Sequence, residues 1–121
     1  MSVNKAILVG RLGHPPSLKE TNGGTSICKF SLATDHNQKN GDEWEKATTW
    51  HNVICFGRTA ENCKQYLDKG SAVFIEGRID NGKYEKDGET KYYSQVVAES
   101  VKFLSRKDEL SQTIDNDNIP F

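Results

Sequence analysis

The chain of 121 residues has few of the features that mark common protein classes. No apolar run approaches the roughly 20 residues of a membrane span. The first residues, Met1-Ser2-Val3-Asn4-Lys5, lack the long apolar stretch of a signal peptide. A secreted or membrane-spanning protein is therefore not expected. Only three cysteines occur, Cys28, Cys55 and Cys63, with no CxxC. An odd count without paired spacing argues against a disulfide framework and for reduced thiols in a cytoplasmic protein. The chain has no nucleophile elbow, HExxH, P-loop or Rossmann glycine fingerprint. His14, His36 and His51 have no acid or nucleophile beside them that suggests a triad. One enzymatic alternative stays open: a metal held by His51, Cys55 and Cys63. Their spacing matches no familiar zinc pattern, and Cys55 reads better as a small core residue. The chain is expected to be a binding protein, not an enzyme, without metal or cofactor.

Net charge is also small, at -1. That average hides an asymmetry. Residues 1–107 hold all 16 basic residues against 13 acids, a net of +3. Residues 108–121 hold Asp108, Glu109, Asp115 and Asp117 and no base. A mildly basic body with an acidic tail points to charged partners. The chain is one domain by length.

Mean hydropathy is low, at -0.71, yet the apolar residues are patterned. A first strand is expected over Val3 to Arg11, apolar on both faces and so covered on both sides. Gly13 to Gly24 reads as a loop, marked by Pro15-Pro16 and Asn22-Gly23-Gly24. A second strand spans Thr25 to Thr34, with Cys28, Phe30 and Leu32 alternating against Lys29, Ser31 and Ala33. A polar excursion follows from Asp35 to Lys46, turning at Asn40-Gly41. The third strand is Thr48 to Phe56. A short helix is expected over Arg58 to Lys69, closed by Gly70. A fourth strand covers Ala72 to Asp80. Asn81-Gly82 and Asp87-Gly88 then bracket a small arm, Lys83 to Lys86. The last strand runs from Lys91 to Phe103. Three strands, a helix and further strands describe an all-β fold, a five-stranded antiparallel OB barrel with one helix between strands three and four. A split β/α sandwich also fits the order.

The aromatic residues suggest what the barrel binds. Trp44, Trp50, Phe56 and Tyr84 sit among polar or basic neighbours. Trp50 and Phe56 share one face of the third strand, while Val53 and Cys55 point the other way. Lys46 and Arg58 flank that strand, and Lys83 and Lys86 flank Tyr84. Lys5, Arg11 and Arg78 are further candidates for phosphate contact. Rings interleaved with cations suit single-stranded nucleic acid, because any base can stack while cations track the phosphates. The competing reading makes Trp50 and Phe56 core. At the other end, Ile119, Pro120 and Phe121 close a polar, acidic segment. That pattern suits a docking peptide, with Phe121 filling a pocket and Asp115 and Asp117 steering toward a basic patch. The alternative is that Ile119 and Phe121 fold back onto the body.

Several stretches together resemble the bacterial single-stranded DNA-binding protein family in its homotetrameric OB-fold form. They are VNKAILVGRLG (Val3 to Gly13), NGG (Asn22 to Gly24), FSLAT (Phe30 to Thr34), TTWHNVICFGRTAE (Thr48 to Glu61), YLDKGSAVFIEGRI (Tyr66 to Ile79) and the final DNDNIPF. The resemblance implies base stacking by Trp50 and Phe56, with Tyr84 at an arm position where the family often has tryptophan. It places His51 near a subunit contact. It also implies that the acidic tip recruits replication, recombination and repair proteins, in a cytoplasmic, nucleoid-associated setting.

Three departures stand out. Gln38 falls near a position where the family often has a further tryptophan, and Trp44 is the candidate substitute. Asn116 and Asn118 replace acids common in the family's tip. The linker is short, which keeps the tip near the barrel. A phage-encoded or secondary cellular copy fits these departures. The resulting expectation is a barrel domain over 1–104 and a disordered acidic interaction tail over 105–121. A replication-restart accessory OB protein that mainly contacts other proteins is the second binding reading.

Overall fold

The computed structural model describes residues 1–105. Strand β1 (Ala6–Leu12) is followed by β2 (Ser17–Glu20), β3 (Ser26–Asn40), β4 (Glu43–Phe56), helix α1 (Gly57–Tyr66), β5 (Ala72–Lys86) and β6 (Glu89–Phe103). The strands run β1-β5-β6-β4-β3-β2, and β1 also pairs with β3. That extra pairing closes a five-strand ring, so the structure is the expected OB barrel and not a split sandwich. Four of the ring's pairings are antiparallel, and the seam between β4 and β6 is parallel and only two residue pairs long. Beyond Val53↔Val96 and Ile54↔Val97 the two strands separate.

The alternating pattern selects the interior. Leu12, Cys28, Phe30, Leu32, Val53, Cys55, Val73, Ile75, Val96 and Ala98 fill the core. Burying a side chain such as Leu32 or Ile75 contributes roughly 1.5–3 kcal/mol. Helix α1 turns Ala60, Cys63 and Leu67, at helical spacing, onto the same core. It packs chiefly on β3, with lighter contact to β4, β2 and β6.

Several elements differ from the sequence reading. The loop Gly13 to Gly24 contains β2, a short, fully exposed strand paired with β3 from Ser17↔Lys29 to Glu20↔Ser26. Both faces of β2 are polar or solvated, so no periodic signal marks it. The polar excursion Asp35 to Lys46 is a two-stranded arm continuous with β3 and β4, paired up to Asn40↔Glu43. It too has no buried face. Cross-strand polar contacts hold it: Thr48 Oγ1 donates to Asp35 at 2.8 Å, Lys46 pairs with Asp35 at 3.3 Å, and Asn40 Nδ2 donates to Glu45 at 3.2 Å.

The helix is shorter than expected and ends at Tyr66, with Leu67 as its cap. Asp68 N–H donates to Ser71 Oγ at 2.9 Å, and Ser71 N–H donates back to the Asp68 carbonyl at 3.0 Å. This local closure competes with another helical turn. Gly70 therefore does not terminate the helix. Its φ of 87° lets its N–H reach the Leu12 carbonyl at 2.8 Å. Asn81-Gly82 is no turn either. The β5–β6 ladder passes straight through it, and only Asp87-Gly88 turns, with both residues at positive φ as a type I′ hairpin requires. Finally, the outer face of β1 is not covered within one chain: Ile7 and Val9 are exposed.

The three cysteines are free and fully buried. Cys28 and Cys55 pair across β3 and β4, and Cys55 Sγ lies 3.7 Å from Cys63 Sγ. The hydrogen bond with Cys55, and then burial, push the Cys28 thiol up. For Cys55 the contact with Cys28 lowers the pKa, but the bond with Cys63 and burial outweigh it and push the thiol up to about 12. A thiol that ionises more easily unfolded than folded withdraws stability once the pH passes its unfolded value. The thiols' contribution to stability is therefore expected to be level below about pH 9 and to fall as the pH rises toward about 12. Denaturant midpoints measured across that range check this, and a cysteine-to-alanine variant should show a flatter decline. Among the described residues no group of His, Cys, Asp and Glu is placed to hold a metal ion. The ring of His51 instead meets Thr34, with Nε2 2.8 Å from Oγ1.

Candidate nucleic-acid interface

Strand β4 separates core from surface by its two-residue period. Val53 and Cys55 point inward and are buried. Trp50, Asn52 and Phe56 have the other parity and are exposed, whereas Ile54 of that parity is buried beneath its neighbours at 7% exposure. Trp50 is 56% exposed and Phe56 44%, so neither belongs to the core. The Trp50 ring covers Gly13, where a methyl group would overlap it. The ring is thus held from one side and open on the other.

Beside the Asn52–Ile54 stretch of β4 lies a groove of about 650 Å³, whose lining includes neither Trp50 nor Phe56. Its floor is Asn52 and Ile54 of β4, with Lys29 and Ser31 of β3 on one side. Tyr84 of β5 and Tyr93, Ser94 and Gln95 of β6 line it as well, as do His14 and Pro15. A second hollow of about 560 Å³ opens where β4 and β6 diverge, and includes Trp50, His51, Ile79 and Tyr92. Tyr84 is 51% exposed and Trp44 69%. Tyr84 stands on the β5–β6 arm opposite Lys91, and Trp44 on the β3–β4 arm opposite Lys39.

The cations differ in what they already touch. Arg58, Arg78, Lys83 and Lys86 are exposed. Arg58 follows Phe56 in the first turn of α1, Arg78 lies on β5, and Lys83 and Lys86 lie on the arm with Tyr84. Lys5 pairs with Glu76 at 3.1 Å. Arg11 is half-buried and donates through Nη1 to the Gly70 carbonyl at 2.8 Å. Lys46 pairs with Asp35, whose carboxylate is held below its ordinary pKa by the Thr48 hydroxyl and then by Lys46. An incoming phosphate must compete with these partners at Lys5, Arg11 and Lys46. The tip residues Asp115, Asp117, Ile119, Pro120 and Phe121 lie outside the described residues.

Lys29, His14, Tyr92 and Tyr93 are not among the binding residues expected from the sequence. Lys29 was legible, since it alternates with the buried Cys28 and Phe30. Tyr92 and Tyr93 stand side by side in one strand, so parity alone puts one on each face without saying which face matters.

A family model described as "Single-strand binding protein family" matches residues 3–104. The single-stranded DNA-binding protein of Neisseria meningitidis serogroup A is 42% identical over 114 residues, covering 92% of this chain. The match spans 65% of that relative, under two thirds of its length. Single-stranded DNA-binding protein 1 of Chlorobaculum tepidum is 36% identical, over 93% of this chain and 72% of the relative. Among solved structures, the complex of Plasmodium falciparum SSB with ssDNA superposes with a TM-score of 0.80 at 28% identity, covering 87% of this chain and 97% of that one. A deletion mutant of the single-stranded DNA binding protein of Thermus aquaticus gives 0.76 at 34% identity, over 85% of this chain and 51% of that one.

Proposed function

The chain belongs to the single-strand binding protein family, and from that premise we propose that it binds single-stranded DNA without sequence preference along the outer face of β4. That family is one of non-enzymatic DNA-binding proteins. The observation that carries the reading is the exposure of Trp50 and Phe56 on β4, while Val53 and Cys55 of the same strand are buried in the core. Bases stack on Trp50, Phe56 and Tyr84, with Trp44 on the neighbouring arm standing in for the aromatic absent at Gln38. Arg58, Arg78, Lys83 and Lys86 meet phosphates directly. Lys5, Arg11 and Lys46 do so by exchanging their present partners.

Titrating the tryptophan fluorescence with oligo-dT and with duplex DNA tests this. Strong quenching by the single strand alone is expected, with affinity falling linearly in log salt at about 0.7 per phosphate contact. Equal response to duplex, or none, removes the reading and favours an accessory OB protein that mainly contacts other proteins.

The biological setting follows as part of the same proposal: coating of single strands in replication, recombination and repair, in the cytoplasm at the nucleoid. No helix among the described residues is long and apolar enough to cross a membrane. Four barrels assemble. The exposed Ile7 and Val9 on β1 support self-association, since such an apolar strip is otherwise left in water. His51 lies near that subunit contact. The barrel domain is residues 1–104, and residues 105–121 form a linker and docking segment for replication, recombination and repair proteins. Deleting residues 119–121 is expected to leave oligo-dT affinity within about twofold, because stacking and phosphate contacts are untouched, while abolishing partner pull-down. Capture of the same partners by the truncated chain removes the docking role.

A further inference from the structure

Gly82 sits in the middle of β5, where no turn requires it. Glycine inside a strand costs about 0.5–1 kcal/mol relative to alanine and often marks a close approach of another group. Here the group is Tyr93, its direct partner on β6. A methyl group on Gly82 would overlap Oη, Cζ and Cε1 of the phenol. The bare backbone is therefore a seat for that ring.

Residues directly opposite in an antiparallel pair project to the same side of the sheet. Tyr93 thus shares its face with Tyr84, two residues along β5 from Gly82. Gln95 shares it too, and is held in place by donating Nε2–H to Asp80 at 3.1 Å. Tyr93 is 38% exposed and lines both the groove and the hollow beside it. A ring backed by backbone on one side and open to a groove on the other is fixed before any ligand arrives. That lowers the ordering cost of stacking.

We propose that Tyr93 is a base-contacting residue of this site and that Gly82 is its positioning residue. The proposal rests on the reading of the groove as the path of single-stranded DNA. A base on Tyr93 bridges the arm aromatic, Tyr84, and the groove floor at Asn52. The path then continues across β6 and is not confined to β4 and the arm.

The test compares two ligands of equal length: oligo-dT, and an abasic oligomer that keeps the sugar–phosphate chain but has no bases. Y93A is expected to bind oligo-dT about tenfold more weakly than wild type. The difference should shrink to under about twofold on the abasic chain, which offers nothing to stack. Y93F should recover most of the loss. G82A, which displaces the ring without removing it, should fall between Y93A and wild type on oligo-dT. Equal losses on both ligands, or no loss on either, overturn the proposal. A second measurement uses the unaltered protein. Photocross-linking to 5-iodouracil-substituted oligo-dT should yield an adduct on Tyr93, and adducts only elsewhere overturn the proposal even if the variants misfold. If wild type itself fails to bind oligo-dT, the parent reading falls as well. That outcome is distinct from wild-type binding with an indifferent Y93A.

Discussion

Alanine at both Trp50 and Phe56 is expected to weaken oligo-dT binding about a hundredfold or more while leaving the barrel folded. The magnitude follows from losing two stacking platforms, each contributing roughly 1–3 kcal/mol per base. Folding should be nearly spared because both rings project away from the core. Trp50 does cover Gly13, so a loss of up to about 1 kcal/mol is expected from that contact. Binding isotherms and a denaturant melt of the same double variant check both halves. A variant that no longer folds would make the two rings structural. A folded variant that binds as well as wild type would move the DNA path off β4.

The opposite profile is expected for Gly77→Ala. Gly77 lies at the irregularity in β5 where the register with β6 shifts by one residue. A Cβ there would overlap the Val97 carbonyl oxygen and lie 2.8 Å from its carbon. Both are main-chain atoms of the neighbouring strand, so no side-chain rotation relieves the contact. Relief requires β5 and β6 to part, beside the short β4–β6 seam that closes the barrel. A cost of about 3 kcal/mol or more is expected, enough to unfold much of the protein near its working temperature. Gly23→Ala is the matched control. A Cβ there meets only Thr21 Oγ1 at 3.9 Å, so a change within about 0.5 kcal/mol is expected. Equal melting of the two variants would show that the strands can separate at little cost.

These two sites differ in how much of them the sequence displays. Trp50 and Phe56 share a parity opposite to Val53 and Cys55, and that alternation survives folding unchanged. Nothing around Gly77 in the chain says that Val97 will arrive against it. Gly82 makes the same point more sharply. Asn81-Gly82 has the local composition of a turn, yet it runs straight because fourteen pairs of β5 and β6, starting from the Asp87-Gly88 hairpin, extend through it. Asn81-Gly82 lacks a positive φ, while Asp87-Gly88 has it at both positions.

The core strands, the helix with its buried face and the shared parity of Trp50 and Phe56 were determined by the sequence alone. Each depends on a period of two or 3.6 residues, which the chain carries locally. Tertiary structure decided the rest, including which face of β4 is outward. It formed β2, extended the polar arms and ended α1 early, because those choices rest on which backbone groups find partners. It closed the barrel through the parallel β4–β6 seam. It joined Lys29, Tyr84 and Tyr93, distant in the chain, on one groove. Which side chains meet across a closed sheet depends on register, and register is set by the whole ring of strands at once.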